Sequence, residues 1–137
     1  MAVVEELLRI EADGAVSFGN HKLAHKAKLE DFPHAGDLLK VKTFREITKL
    51  EKNGMFLYES VPGTSVNAFV EKEDGVEFSV EGDEDAQITI GLTEDKEYEV
   101  LIDGKSMGTM KTGLSGKLSL SVELQSVDKV LVKVIQK

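Results

Sequence analysis

A chain of 137 residues that is 41% hydrophobic and 31% charged can pack a core in one domain, or in one domain with a small companion. It contains no cysteine, which excludes disulfides, thiolate zinc sites and thiol catalysis. The formal charge is −8, and a local surplus of +3 is confined to residues 21–53, too little for a surface that must neutralise phosphates, so nucleic-acid binding is not expected.

No apolar run approaches the ~18 residues of a membrane helix. The N-terminal MAVVEELLRIEADG has acidic residues where an export signal carries Lys or Arg, so a cytoplasmic location is expected. Residues 4–20 predict a hairpin: Leu8, Ile10 and Ala12 share a face, Asp13-Gly14 is a turn dipeptide, and Val16 and Phe18 alternate on the return. A short helix over EELLRI, ended by Gly14, is the competing reading.

Residues 21–34 (HKLAHKAKLEDFPH) have the most helical character in the chain, yet KAKLEDF also alternates, so helix and strand both stand. The strand reading puts Ala27, Leu29 and Asp31 on one side and Phe32 on the other; Phe32-Pro33 closes the segment and Gly36-Asp37 forms a loop. LLKVKTF then alternates with Leu39, Val41 and Thr43 on one face, and Asn53-Gly54 predicts a hairpin turn before MFLYESV. Pro62-Gly63 breaks the chain and is read as a hinge between a small β-rich unit, 1–62, and a second unit, 63–137.

The second unit is regular. Asp74-Gly75 and Asp103-Gly104 are predicted turns, and three apolar faces stand out: Tyr98, Val100 and Ile102; Leu118, Leu120, Val122 and Leu124; and Val130, Val132 and Val134. Strands eight to twelve residues apart with turn dipeptides between them predict an antiparallel β-sandwich, so the chain reads as all-β throughout.

Asn67, Phe69, Glu71, Gly75-Val76, Phe78, Val80 and Gly82, followed by Tyr98 to Gly108 and Thr112 to Val122, resemble the strands of immunoglobulin-like β-sandwich modules. Such modules occur in bacterial surface proteins and polysaccharide-processing enzymes. The whole chain also resembles a short bacterial family labelled "endosialidase". That resemblance implies a carbohydrate-linked function, as a glycan-binding module or glycoside hydrolase, but assigns no residue a role.

No residue set predicts catalysis, a metal or a cofactor. His21 and His25 have i, i+4 spacing with His34 nearby, but Lys22 stands where a zinc-helix Glu would, and solvated histidines are expected. Glu73-Asp74 and Asp83-Glu84-Asp85 lack calcium-loop spacing and read as exposed turns. Ser106, Ser115, Ser119 and Ser121 lack a nucleophile elbow, and Gly113 and Gly116 lack phosphate-loop spacing. The chain has no Trp to stack on a sugar; Tyr98 reads as core or sheet edge and Tyr58 as the better exposed ring.

Met55, Phe56, Leu57 and Tyr58 are consecutive and apolar, so one strand face cannot bury them all. They are the predicted interface. The expectation is a non-enzymatic binding or assembly module, self-associating or docking another protein.

Overall fold

The computed structural model describes residues 3–137. Apolar alternation and positive-φ turns lay down a succession of antiparallel strands. The hairpin β1 (Leu8–Ile10) and β2 (Val16–Phe18) is followed by β3 (Ala27–His34), β4 (Asp37–Phe44), β5 (Ile47–Lys52) and β6 (Met55–Val61). Next come β7 (Ser65–Lys72), β8 (Gly75–Glu81), β9 (Ala86–Gly91), β10 (Glu97–Ile102) and β11 (Lys105–Lys111), and the chain ends in β12 (Lys117–Val122) and β13 (Val130–Gln136). There is no helix among the described residues, so both competing helical readings, over EELLRI and over residues 21–34, fail. None is therefore long and apolar enough to cross a membrane.

The strands form an antiparallel β-sandwich. One sheet runs β1-β2-β7-β8-β13-β10-β11 and the other β12-β9-β6-β5-β4-β3. Inward-facing residues from both build one core. At its centre the Phe18 and Phe78 rings stand edge-on to Tyr58, with Phe69 stacked on Phe78. Quadrupole-favoured contacts of this kind add to the area these rings bury.

The two units expected on either side of Pro62 are not separate. Residues 1–62 supply β1 and β2 to the first sheet and β3–β6 to the second, and the rest of the chain completes both sheets. Pro62-Gly63 is a packed crossover between sheets. The Val61–Pro62 bond is cis, Gly63 N–H donates to the Arg45 carbonyl at 2.9 Å, and a Cβ on Gly63 would overlap the Phe44 carbonyl oxygen.

Two bulges reset the alternation. In β3, the register against β4 shifts between Leu29 and Phe32, with Asp31 at φ +56°, so Leu29 and Phe32 both pack on the core instead of facing opposite ways. Pro33 lies within β3, where the sheet edge tolerates its missing N–H; the turn that follows is Ala35-Gly36, not Gly36-Asp37. In β6, Tyr58 pairs with Leu50 and Phe56 with Glu51, leaving Leu57 as the extra residue. Leu57 and Tyr58 are therefore both buried, while Phe56 turns to the outer face. Asn53-Gly54 and Asp103-Gly104 are the expected left-handed turns. The β7–β8 turn falls one residue early, at Glu73-Asp74, because Gly75 is already paired with Lys72 and Ile135.

Candidate functional site

Side chains of both sheets meet solvent at the end of the sandwich holding the Asn53-Gly54 turn. A cleft of about 420 Å³ opens there between the sheets, with Met55, Leu57, Val76, Leu92 and Tyr98 among its walls. A neighbouring recess of about 280 Å³ shares Lys52, Leu57 and Glu71 with it. Lys52 of β5 and Glu71 of β7 are 2.7 Å apart and bridge the two sheets between the recesses. The pair is half-exposed, so its Coulomb energy is screened and it acts mainly as a geometric strut.

The four predicted interface residues are divided by the β6 bulge. Met55 is 71% exposed at the lip of the cleft, whereas Leu57 and Tyr58 are buried. Phe56 sits on the outer face, its ring covered by the Lys117 ammonium at 4.5 Å and the Lys49 ammonium at 6.0 Å. Such contacts shield an aromatic surface and hold the cations over it. Tyr58 is not the exposed ring expected from the sequence. It is fully buried, its hydroxyl hydrogen-bonded to Thr64 Oγ1 at 2.8 Å, and burial pushes its pKa well above the usual phenol value. Tyr98 is buried, as expected, and its hydroxyl accepts the Thr93 N–H.

The histidines separate. His25 is exposed, and His34 Nε2 meets the Gly14 carbonyl at 3.0 Å, tying the β3–β4 turn to the β1–β2 loop. His21, expected in solvent, is buried: Nδ1 lies 2.7 Å from Ser65 Oγ, and Nε2 lies 3.7 Å from Asp83 Oδ1. Ser, His and Asp thus come together from positions 44 and 61–62 residues apart, with Lys22 Nζ 2.6 Å from the same carboxylate. No signal in the sequence pairs them. The set does not fit nucleophilic catalysis, because Ser65 is 1% exposed and no substrate carbonyl can reach its hydroxyl. Its role is to pin residues 20–22 onto the outer face of the first sheet. Among the described residues, no group of three or more His, Cys, Asp or Glu side chains could hold a metal ion.

Burial lowers the His21 pKa below 6.5; Asp83 opposes this, and Lys22 adds to it. Between the folded pKa and 6.5 the unfolded chain binds the proton and the folded chain does not. His21 therefore costs no stability above about pH 6.5, and stability falls as the pH drops below that value. The Lys22 hydrogen bond holds Asp83 below the usual carboxylate range, so its stabilisation is lost only at lower pH. The urea midpoint should therefore fall between about pH 7.5 and 5.5, and His21→Asn should flatten that slope. An unchanged slope in the variant would remove His21 as its source.

The acidic loop 83–85 also has internal partners. Asp85 Oδ1 accepts the N–H groups of Leu124 and Gln125 at 2.9 and 3.0 Å, fixing the chain just after β12. Ser106, Ser115, Ser119 and Ser121 are exposed, as expected. Comparison with family models, with curated proteins and with solved structures finds no match for this chain.

Proposed function

We propose that the protein is a non-enzymatic binding or assembly module whose contact surface is the open end of the sandwich. The observation that carries this is Met55, exposed on the lip of a cleft whose walls mix apolar Leu57, Val76 and Leu92 with charged Lys52, Glu71 and Lys72, and flanked by the lysine-covered Phe56. An exposed apolar side chain at the mouth of an inter-sheet cleft is an anchor that a partner can bury. The preferred occupant is a second copy of the chain.

The carbohydrate-linked reading rests on the resemblance to endosialidase-labelled and polysaccharide-processing proteins. It is the weaker one, because Tyr58 is fully buried and Tyr98, although it lies in the cleft wall, is only 2% exposed, so neither offers a ring face to a sugar.

Light scattering after size exclusion tests the proposal. At about millimolar concentration the wild type should exceed the 15.0 kDa of one chain. Met55→Asp should return it to monomer with unchanged melting. A wild type that stays monomeric at that concentration sinks the assembly reading, and a positive glycan array would favour the carbohydrate one.

A further inference from the structure

The two sheets are unequal, with seven strands against six; β1 of one meets β3 of the other along one side, so the place without a strand lies on the opposite side, beside β12. β11 shows this directly: all of its residues are exposed, although one of its faces turns toward the core side. Met110 pairs with the buried Tyr98, and Lys105 with the core-packed Ile102; cross-strand partners share a face, so both side chains project over the place where the second sheet has ended. Met110 is nonetheless 38% exposed, and Met107, in the bulge opposite Val100, is 58% exposed.

The edge beneath is open. Leu92 N–H donates to the Gly116 carbonyl at 2.7 Å, and Lys117 lies opposite Gly91. By antiparallel alternation, Leu118, Leu120 and Val122 exchange hydrogen bonds with β9, while the backbone groups of Ser119 and Ser121 point out of the sheet. The other edges are protected: β3 by a bulge and Pro33, β1 by its length of three residues, β11 by its own bulge. β12 keeps an unbroken register with β9 and has none of these devices.

Charge selects the occupant. Lys117 lines the open-end cleft with Tyr98 and lies on the outer face of β12 over Phe56, so it marks the Met110 end of the slot from outside; Lys105, on the core-facing side of β11, marks the other end from within. Among the described residues, neither ammonium has a carboxylate within ion-pair distance.

We propose that the slot between β12 and β11 is a strand-addition site that takes an extended segment of another polypeptide, apolar at alternate positions and carboxylate-bearing at both ends. Its backbone pairs with Ser119 and Ser121, its apolar side chains cover Met107 and Met110, an acid on that same face meets Lys105, and an acid on the opposite face meets Lys117. A second copy fits less well, because its own overhanging β11 would compete for the space above the added strand.

The probe is the blocked, fluorophore-labelled peptide Glu-Thr-Val-Thr-Val-Thr-Val-Glu, whose first acid shares the Val face toward Lys105 and whose last shares the Thr face toward Lys117 when it pairs antiparallel to β12, titrated into the full chain by fluorescence anisotropy. Saturable binding is expected, at least about tenfold weaker when the terminal acids become lysine or when alternate amides are N-methylated. Ser119→Pro removes the outward N–H and with it the exposed Ser119 Oγ contact to Thr89 Oγ1, and should weaken binding by a similar factor, whereas Ser119→Ala, which loses only the hydroxyl contact, should bind as the wild type does; Met110→Asp, at an exposed position, should weaken binding as Ser119→Pro does without altering the melting temperature. Absence of saturable binding, or binding indifferent to N-methylation, to Ser119→Pro and to Met110→Asp, overturns the proposal. A dimer of the free chain that Ser119→Pro dissociates would give the slot to a second copy and overturn it too.

Discussion

Gly75→Ala should destabilise the protein by about 3 kcal/mol or more. Gly75 opens β8 with φ +152°, a conformation L-residues rarely adopt, and faces β13 so closely that a Cβ would overlap the Val134 carbonyl oxygen. A backbone carbonyl cannot rotate aside as a flexible side chain can. Relief therefore requires moving β13 away from β8 along a ladder that runs from Val130↔Val80 to Ile135↔Gly75. Gly104→Ala provides the control. Gly104 has φ +84° but open space around its Cβ position, so alanine there incurs only the left-handed penalty, about 1 kcal/mol. Urea denaturation of both variants checks the ranking. Equal losses would mean that the packed carbonyl is not the determinant.

The second large effect lies in a chain of buried hydroxyls joining the sheets. Thr43 Oγ1 accepts the Asn20 N–H and contacts Thr48 Oγ1 at 2.8 Å; Thr48 in turn donates to the Thr64 carbonyl and accepts its N–H. Thr64 Oγ1 is shared by Tyr58 OH at 2.8 Å and Ser60 Oγ at 2.7 Å. Thr64→Val preserves shape but strips both neighbours of a partner, and unpaired buried hydroxyls cost about 1–3 kcal/mol each. A loss of about 2–3 kcal/mol is expected, and Tyr58→Phe added to Thr64→Val should cost less than the two single changes together, since it removes one of the orphaned groups. Strict additivity in the double-mutant cycle would show that Tyr58 and Thr64 are not coupled.

That hydroxyl chain shows where sequence reading stops. Period-two alternation is local, so it puts Thr43 on one face with Leu39 and Val41, and that face is buried. Its hydrogen-bonding partner Thr64 lies across a crossover that no local pattern encodes. The interface residues divide the same way. One face cannot hold the four consecutive apolar residues Met55 to Tyr58, and the β6 bulge is how the fold accommodates them, with two inside and the Phe56 ring outside under lysine. Bulges change alternation by one residue without a composition signal, so the strand pattern puts Phe32 opposite Leu29 and leaves Tyr58 as the better exposed ring, whereas the bulges turn both onto the core. His21 shows the converse limit: its burial depends on Ser65 and Asp83, brought to it by pairing of β2 with β7 and of β7 with β8.

The stretch from Tyr98 to Leu124 illustrates both sides. By itself the sequence determined that Tyr98, Val100, Leu118, Leu120 and Val122 face inward and that Asp103-Gly104 reverses the chain, because side-chain alternation and left-handed turns depend only on neighbouring residues. Only the tertiary structure decided that β10 and β12 belong to opposite sheets, that β11 overhangs the end of one of them, and that β12 is left with an open edge. These are consequences of which distant strands pair, and pairing is settled by packing one shared core across the whole chain.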